Sequence, residues 1–267
     1  MVGPDPHANA GEIRRSMAAA ASAGARLVQF PEGALSGYVK AQIPAWGSVD
    51  WDAQRAALAT VQAEAARLGL WAVVGCNHPL TPPHRPHNSL YVVSPTGRIA
   101  TRYDKRHCSH TEVSDWYSPG AEPIVVTIEG FRFGLALCIE IQFPELFLDY
   151  ERRGADAVLF SSYSRDPMFA IQARALAATT TLWIAMAVPA QCSDAAPSAI
   201  FAPNGDVVAR CADDGRADLA CATLDRSDPA LAVALGKARP WRGEARAGAI
   251  YRERIVEDPR SSDRRTP

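Results

Sequence analysis

The sequence predicts an α/β protein built as a sandwich of two sheets with helices on the outside. Patterns typical of helices and of strands alternate along most of the 267 residues, which favours helices packed against sheets. Several predicted strands also follow one another directly, so the chain is not a pure βαβ repeat. Hydrophobic residues make up 48% of the chain and charged residues 21%, as in ordinary globular proteins. A chain of this length in this class is often one domain, so residues 1–267 are predicted to form a single domain.

Four segments have the apolar spacing or the alanine-rich composition of helices. Three of them end at a glycine: Gly24, Gly69 and Gly154. Glycine is common at helix ends because it adopts the left-handed backbone conformation at little cost. The predicted helices cover residues 9–24, 51–69, 143–154 and 167–179.

Short apolar runs bounded by turn residues predict the strands, and Asn204-Gly205 between two such runs indicates a hairpin. The polar stretch 106–122 is predicted to be an irregular loop. Beyond a core at about 9–225, residues 226–267 are predicted to form an arm or a partly disordered tail. The predicted strands cover residues 25–30, 70–76, 89–94, 98–105, 123–128, 131–138, 155–162, 181–189, 198–210 (the hairpin) and 217–224.

Charge and composition exclude several classes of partner. The formal net charge is -1, so neither a nucleic-acid surface nor an anionic-membrane surface is indicated. No apolar run reaches the ~20 residues of a membrane span, and the N-terminal stretch lacks the apolar segment of a secretory signal. The six cysteines are scattered without a CxxC pair, which favours free thiols in a reducing compartment. The sequence therefore predicts a cytoplasmic protein.

Three short segments carry groups suited to covalent chemistry. FPEGALSGY, RYDKRH and ALCIEIQFPE supply the carboxylate of Glu32, the ammonium of Lys105 and the thiol of Cys138. Each group lies at the end of an apolar run, where a strand passes into a loop. A cysteine with a carboxylate as proton acceptor and a lysine as electrostatic partner can transfer acyl groups without a histidine. Taken singly, each has an ordinary alternative: a buried core cysteine, a capping acid or an exposed loop lysine.

The order Glu, Lys, Cys and the residues around each resemble the nitrilase superfamily of carbon–nitrogen hydrolases over about residues 9–250. The resemblance implies a four-layer α-β-β-α sandwich, with Glu32 as general base, Lys105 as stabiliser of the oxyanion and Cys138 as nucleophile. The backbone N–H of Ile139 would complete the oxyanion site.

Many members place a second glutamate in the loop after the lysine. Glu112 is the candidate for this position, with Asp115 as the alternative. Trp116 and Tyr117 in the same loop would wall the substrate pocket, although plain core packing explains them almost as well.

The chain departs from the family pattern at two places. Its first residues, MVGPDPHANAG, cannot form the apolar strand that relatives place before their first helix. In the helix at 167–179, Arg174 is retained, but the glutamate and asparagine that relatives often carry after it are both replaced by alanine, at Ala177 and Ala178. Either the start of the sequence is placed too late, after the usual first strand, or the sandwich lacks that strand.

These residues predict a cysteine hydrolase that cleaves an amide or carbamoyl-amide bond of a small molecule and releases ammonia or an amine. A nitrilase using the same three residues remains open, as do a silent family member that binds a ligand or partner and a redox-sensing thiol protein. The cluster 107–110 holds two histidines and a cysteine, but no second cluster completes a zinc site. No metal or organic cofactor is predicted, and the family habit of assembly predicts a homo-oligomer.

Overall fold

The computed structural model describes residues 1–265, and its contacts divide the chain into two units. The first unit covers Met1–Leu224 and contains two β-sheets with helices; the second begins at Asp225. Within the described residues, no helix is both long enough and apolar enough to cross a membrane.

The first sheet has four strands in the order β1-β2-β3-β4. β1 pairs with β2 in parallel, and the other two pairs are antiparallel. Two helices share a buried apolar cluster with β1 and β2, so they cover one face of this sheet. The elements are α1 Pro6–Ser22, β1 Leu27–Gln29, α2 Trp51–Leu68, β2 Trp71–His78, β3 His87–Val93 and β4 Ile99–Asp104.

The two helices of this layer are bounded by ordinary capping groups. Asp5 and Asp50 accept hydrogen bonds from backbone N–H groups in the first turns of α1 and α2, which satisfies donors left free at a helix start. α1 begins at Pro6, three residues earlier than predicted, because proline suits the first turn of a helix. Gly69 ends α2 with a φ of 64°, as the sequence predicted.

The second sheet has six strands in the order β10-β9-β8-β7-β6-β5. β6, β7 and β8 run parallel to one another, and two helices share a buried apolar cluster with them. The elements are β5 Val125–Ile128, β6 Phe131–Leu137, α3 Pro144–Arg152, β7 Ala157–Ser161, α4 Met168–Thr180, β8 Trp183–Ala187, β9 Ala199–Phe201 and β10 Val207–Arg210.

Side chains between the two sheets join them face to face. The Ser161 hydroxyl donates to the Phe30 carbonyl at 2.8 Å, and the Gln29 amide donates to Ser161 Oγ at 3.0 Å. Arg174 on α4 donates to the carbonyl of Gly205 in the β9–β10 turn, which ties the outer helix to its sheet. The arrangement is helix, sheet, sheet, helix, which confirms the predicted α-β-β-α sandwich, and no strand precedes α1 among the described residues.

Two predictions about local structure were wrong. Residues 217–224 do not form a strand, because the Asp218 carboxylate accepts from the backbone N–H groups of Ala212 and Leu219, a local alternative to strand pairing. The loop at 106–122 contains one turn of π-helix, Glu112–Trp116.

The segment 226–267 was predicted to be an arm or a partly disordered tail, and its described part contains short helices. α5 begins after a π-helical turn and ends at Gly248, which has a φ of 78°. The helices are Pro229–Leu231 (3-10), Ala234–Ala238 (π), α5 Arg239–Ala247, α6 Ala249–Arg252 and α7 Pro259–Ser262.

Candidate active site

The three groups singled out in the sequence lie at the ends of strands, on the same side of the sandwich. Glu32 follows β1, Lys105 directly follows β4, and Cys138 directly follows β6. In α/β sheets, ligand crevices open at the carboxyl ends of the strands. The fold therefore brings together residues that are more than 30 positions apart in the chain.

Glu32 is held by the close approach of its loop to β2. The backbone N–H of Phe30 donates to the Val73 carbonyl at 2.8 Å, and Leu35 N–H donates to the Gly75 carbonyl at 2.9 Å. A Cβ at Gly75 would lie 2.1 Å from the Pro31 carbonyl oxygen. Only glycine therefore lets the Glu32 loop lie against β2.

Lys105 lies between two carboxylates in the interior. Its Nζ is 3.0 Å from Glu32 Oε1, and 2.8 and 3.0 Å from the two oxygens of Glu112. All three side chains are at most 1% exposed. Burial alone would lower the pKa of Lys105, but the charges of Glu32, Cys138 and Glu112 outweigh it and hold that pKa well above the ordinary value. The lysine is a fixed cation.

Glu112 is positioned by the π-helical turn in the loop after Lys105. Ser109 N–H donates to its Oε2 at 2.7 Å, and the Tyr38 hydroxyl donates to its Oε1 at 3.1 Å. Burial opposes ionisation, but the charge of Lys105 and the hydrogen bonds from Lys105 and Ser109 lower the pKa of Glu112. Asp115, the alternative from the sequence, is exposed; the structure brings Glu112 to Lys105 instead.

Two further residues bind the Glu32 carboxylate and were missed in the sequence. Asn88 Nδ2 donates to Oε1 at 2.7 Å, and the backbone N–H of Tyr163 donates to Oε2 at 2.9 Å. Asn88 also accepts from the backbone N–H of Lys105 at 2.8 Å. Tyr163 follows β7 at its carboxyl end, a position that the strand-end rule would have indicated.

Cys138 stands on a sharp turn between β6 and a short 3-10 helix, Cys138–Gln142. Its φ is +49°, in the left-handed region that side chains other than glycine rarely adopt. Ile139 lies in the first turn of that helix, where backbone N–H groups have no acceptor within the helix. The turn therefore places the Cys138 thiol beside a backbone N–H donor that has no acceptor within the helix, as in a nucleophile elbow.

The thiol of Cys138 is protonated at neutral pH. Burial and, after it, the negative charge of Glu32 raise its pKa to about 12, while Lys105 and the Ser162 hydroxyl act in the opposite direction. A thiol of this kind needs a base to become a nucleophile. Glu32, whose charge acts on Cys138, is a carboxylate that can serve as this base.

Glu140, two residues after the cysteine, joins this turn to the loop that follows Lys105. Its carboxylate accepts from Leu137 N–H on one side and from the N–H groups of Arg106 and His107 on the other. The Tyr103 hydroxyl donates to it at 2.8 Å. Burial raises the pKa of Glu140, although the hydrogen bonds from His107, Leu137 and Tyr103 act in the opposite direction. Sequence reasoning did not single out this residue.

Aromatic and amide side chains form the walls around the cluster. Tyr38 and Tyr163 stack with ring centroids 4.9 Å apart, and the amides of Gln42 and Gln191 both donate to the Tyr163 hydroxyl. This stacked pair was not anticipated.

Tyr117 and Trp116, the predicted wall residues, belong to an apolar cluster in the same region. Tyr117 is 2% exposed and donates its hydroxyl to Asn77 Oδ1 at 2.8 Å. Trp116 meets Trp46 edge to face and accepts from its indole N–H. These contacts pack the two residues into an apolar cluster, and their role as walls of a substrate pocket stays a prediction.

The remaining thiols and histidines form no second centre. The six cysteines are free, and Cys221 is the exposed one. His107 stacks on Phe143 with centroids 4.5 Å apart. Among residues 1–265, no group of three or more His, Cys, Asp and Glu side chains is placed to hold a metal ion.

A helix–sheet–sheet–helix sandwich with a buried Glu–Lys–Glu cluster at its strand ends is the architecture of a nitrilase-fold hydrolase. The family model for carbon-nitrogen hydrolases matches residues 2–232. The chain belongs to the carbon-nitrogen hydrolase family. It is accordingly an enzyme of the amidohydrolase type, acting on carbon–nitrogen bonds other than peptide bonds.

Relatives of this chain include hydrolases and amidases. A hydrolase of Mycobacterium tuberculosis is 31% identical over 206 residues, which cover 72% of this chain and 71% of the relative. The chloroplastic omega-amidase of Arabidopsis thaliana is 24% identical over 223 residues, covering 77% and 60%. The solved structure of an amidase from Nesterenkonia sp. AN1 superposes with a TM-score of 0.73 at 21% identity, covering 91% of this chain and 95% of that one. This last similarity is one of fold.

Proposed function

We propose that the protein is an amidase that hydrolyses a small amide or carbamoyl-amide through a thioester on Cys138. The carrying observation is the buried cluster in which Lys105 bridges Glu32 and Glu112 at 2.8–3.0 Å, next to a cysteine on a strained turn. Amidases among the relatives support the same substrate class.

In the first half of the reaction, the Cys138 thiol gives its proton to Glu32 as its sulfur attacks the carbonyl carbon. The pKa of about 12 keeps the sulfur protonated until substrate arrives, so the proton moves during the attack and not before it. Glu32 is already oriented by Asn88 and Tyr163 N–H. These two hydrogen bonds leave the Glu32 carboxylate with free lone pairs in only a few directions, which favours proton transfer in one geometry.

The carbonyl oxygen becomes an oxyanion that Lys105 and the Ile139 N–H stabilise. A buried ammonium acts more strongly on such charge than an exposed one, because the surroundings screen it less. The Glu32 proton then passes to the leaving nitrogen, the C–N bond breaks, and ammonia or an amine departs. This step leaves a thioester between Cys138 and the acyl group.

Water completes the cycle. Glu32 takes a proton from a water molecule whose oxygen attacks the thioester, the C–S bond breaks, and the sulfur recovers a proton from Glu32. The product is a carboxylic acid, or a carbamic acid from a carbamoyl substrate. Glu112 holds Lys105 by two hydrogen bonds throughout, so we assign it the role of positioning the cation.

The charges of the site favour a neutral reacting group. Glu32 and Glu112 contribute two negative charges and Lys105 one positive charge in the interior. A further anion at the reacting carbon would meet uncompensated negative charge in a low dielectric. An uncharged amide, carbamoyl or nitrile group fits this balance.

The test is ammonia release from a panel of small amides, N-carbamoyl compounds and nitriles, comparing the wild type with Cys138→Ala and Cys108→Ala. Cys108 is the matched control because it is half-buried and lies close enough to Lys105 and Glu112 for their charges to act on it. We expect Cys138→Ala to abolish release and Cys108→Ala to retain it.

The panel also separates the rival activities. Release from nitriles and not from amides would replace the amidase assignment by a nitrilase. Release that survives in Cys138→Ala would contradict the nucleophile. A folded wild type that releases nothing from any class would favour a silent, ligand-binding member of the family.

A further inference from the structure

The hydroxyl of Tyr163 accepts hydrogen bonds from two amide side chains. Gln42 Nε2 donates to its oxygen at 2.8 Å, and Gln191 Nε2 donates to it at 3.1 Å. A hydroxyl group has one hydrogen to donate and two lone pairs that accept. Both lone pairs of the Tyr163 oxygen are therefore occupied, and its hydrogen is directed away from the two glutamines.

The backbone around each glutamine fixes the orientation of its amide group. Gln42 Oε1 accepts from the backbone N–H of Tyr38 at 3.0 Å. Gln191 Oε1 accepts from Val2 N–H at 3.1 Å, and its Nε2 also donates to the Val2 carbonyl at 2.9 Å. Such a network decides which atom of a side-chain amide is the oxygen and which is the nitrogen. Both glutamines are consequently donors to Tyr163, and neither can accept its hydrogen.

The Tyr163 hydroxyl is a donor that is held in place and not used within the protein. Among residues 1–265, no group lies at hydrogen-bond distance to accept its hydrogen. Tyrosine hydroxyl groups in buried positions usually find such a partner, and Tyr163 is half-buried. Its ring is fixed by stacking on Tyr38, with centroids 4.9 Å apart. A donor that is already ordered is suited to bind a ligand, because little conformational entropy is lost on binding.

This donor belongs to the wall of the candidate active site. The backbone N–H of Tyr163 donates to Glu32, and the hydroxyl of its stacking partner Tyr38 donates to Glu112. The stacked pair therefore contacts both carboxylates of the Lys105 cluster. The Tyr163 hydroxyl is one side-chain length from a backbone group that binds the candidate base, so it can reach the part of a substrate next to the reacting amide. The two hydrogen bonds that its oxygen accepts also polarise the O–H bond and strengthen it as a donor.

We propose that the Tyr163 hydroxyl determines specificity by donating a hydrogen bond to an oxygen atom of the substrate outside the reacting amide. The inference rests on the proposed amidase function and adds a substrate class to it: small amides with a second oxygen acceptor, such as a keto group or a carboxylate. An amide without this oxygen leaves the hydroxyl unpaired in the complex. Sites built around a hydrogen bond discriminate against analogues that cannot make it. Gln42 and Gln191 are positioning residues, because they aim the hydroxyl.

The test compares straight-chain amides that carry a keto group at successive carbons with analogues in which C=CH₂ replaces C=O. The members of each pair have nearly the same shape and differ in the oxygen acceptor. We expect the wild type to prefer at least one keto amide over its analogue by roughly tenfold in kcat/KM, as for one hydrogen bond. An equal preference for the amide with a terminal carboxylate over the unsubstituted amide would also support the proposal and identify the acceptor as an anion.

Three variants test whether the Tyr163 hydrogen causes this preference. Tyr163→Phe keeps the ring and the backbone N–H, and its ratio of kcat/KM values should fall to about one. In Gln42→Glu, one carboxylate oxygen still accepts from Tyr38 N–H and the other accepts the Tyr163 hydrogen, so the preference should be lost although the hydroxyl remains. Tyr251→Phe, at a tyrosine that is 53% exposed, is the matched control and should keep the wild-type ratio. A loss of stability acts on both substrates and leaves the ratio unchanged.

The outcomes separate this inference from the proposed function. A wild type that hydrolyses amides without preferring an oxygen-bearing one, or a preference that survives in Tyr163→Phe, would overturn the inference and leave the amidase in place. Calorimetric binding of intact amides to Cys138→Ala gives the same comparison without turnover. Preferential binding of a keto or carboxylate amide, with no hydrolysis by the wild type, would contradict the amidase and support the role of Tyr163. A protein that neither binds nor hydrolyses any of the amides would overturn both.

Discussion

Lys105 and its two carboxylates concentrate most of the site's electrostatics in three buried side chains. An unpaired buried charge is costly, but a pair with satisfied hydrogen bonds can be tolerated. Glu32, Glu112 and Lys105 satisfy this condition through bonds of 2.8–3.0 Å. Removing one member therefore takes a hydrogen-bonding partner away from at least one remaining buried charge, which is energetically unfavourable.

Glu112→Gln should reduce kcat/KM on the best amide roughly 100-fold, the usual cost of weakening one group at an oxyanion site. The amide replaces a carboxylate that holds Lys105 and turns an NH₂ group towards an ammonium. The pKa of Lys105 should fall accordingly. Steady-state kinetics on Glu112→Gln and on Asp115→Asn check this, and the exposed Asp115 variant should keep wild-type rates. Equal losses in the two variants would show that Glu112 has no special role.

The raised pKa of Cys138 makes it a poor target for general thiol reagents. With a pKa of about 12, only about one thiol in 10,000 is ionised at pH 8. Exposed Cys221 should therefore react first with a maleimide, and the Cys138 rate should rise about tenfold per pH unit up to pH 11. Mass spectrometry of peptides from timed labelling measures both. Faster labelling at Cys138 than at Cys221 at pH 7 would mean that its thiol is already ionised.

The three predicted groups could be found from the sequence because each follows a strand, and the carboxyl end of a strand can be recognised from the local pattern of residues. Asn88 lies inside β3 and could not be found in this way, and the strand-end position of Tyr163 did not reveal that its backbone N–H binds Glu32. They reach Glu32 from positions 56 and 131 residues away, and only the pairing of strands brings them there. Partners chosen by tertiary structure leave no local signal.

At the scale of elements, two connections position the groups that we propose to be catalytic. Glu140 links the turn of Cys138 with the loop after Lys105. The Glu140 carboxylate acts only as an acceptor. A glutamine in its place would turn the two N–H donors of its amide group towards other N–H or O–H groups. Both the turn and the loop depend on this one carboxylate.

Glu140→Gln should lower the free energy of unfolding by about 2 kcal/mol, the range for leaving buried donors unsatisfied. It should also lower kcat, because the Cys138 turn and the Lys105 loop lose their common anchor. Urea unfolding and kinetics measure the two effects. Glu145→Gln, at an exposed position in the first turn of α3, serves as control. Wild-type stability in Glu140→Gln would contradict the anchoring role.

Gly75→Ala tests the contact between β2 and the Glu32 loop. The added Cβ would meet the Pro31 carbonyl at 2.1 Å, so the loop has to move. We expect a loss of about 2 kcal/mol in stability, as for overpacking, together with lower activity. Gly47→Ala, where a Cβ meets nothing within 4 Å, should change neither. An active, stable Gly75→Ala protein would show that the loop position is not critical.

Most helices and strands were predictable because caps, glycines and apolar spacing act locally. The hairpin at Asn204-Gly205 formed as predicted, with Gly205 at a φ of 87°. The prediction of a strand at 217–224 was wrong because apolar residues in a strand-like pattern indicate burial on one side. They do not reveal whether the edge of another strand is available for pairing. The lack of an apolar strand pattern in residues 1–11 is visible in the sequence, whereas the position of β1 at the edge of its sheet required the three-dimensional structure.

At the scale of the whole molecule, the outer face of α4 presents apolar side chains to solvent. Met168 is 48% exposed and Ile171 is 59% exposed, one turn apart on the same helix. Neighbouring apolar side chains on an outer helix mark a surface for association. This face is therefore the candidate contact for the homo-oligomer that the sequence predicts.

The protein should elute with a mass of at least about 57 kDa, twice the 28.7 kDa of the chain, when light scattering is used with gel filtration. Ile171→Glu places a charge on the exposed face of α4 and should shift the mass to that of a monomer, since desolvating an unpaired charge opposes association. Arg55→Glu, an exposed charge change on α2, should leave the mass unchanged. If the wild type already elutes as a monomer, the exposed face of α4 is not an assembly surface and the prediction of a homo-oligomer is wrong. If Ile171→Glu remains an oligomer, the chains associate through another face.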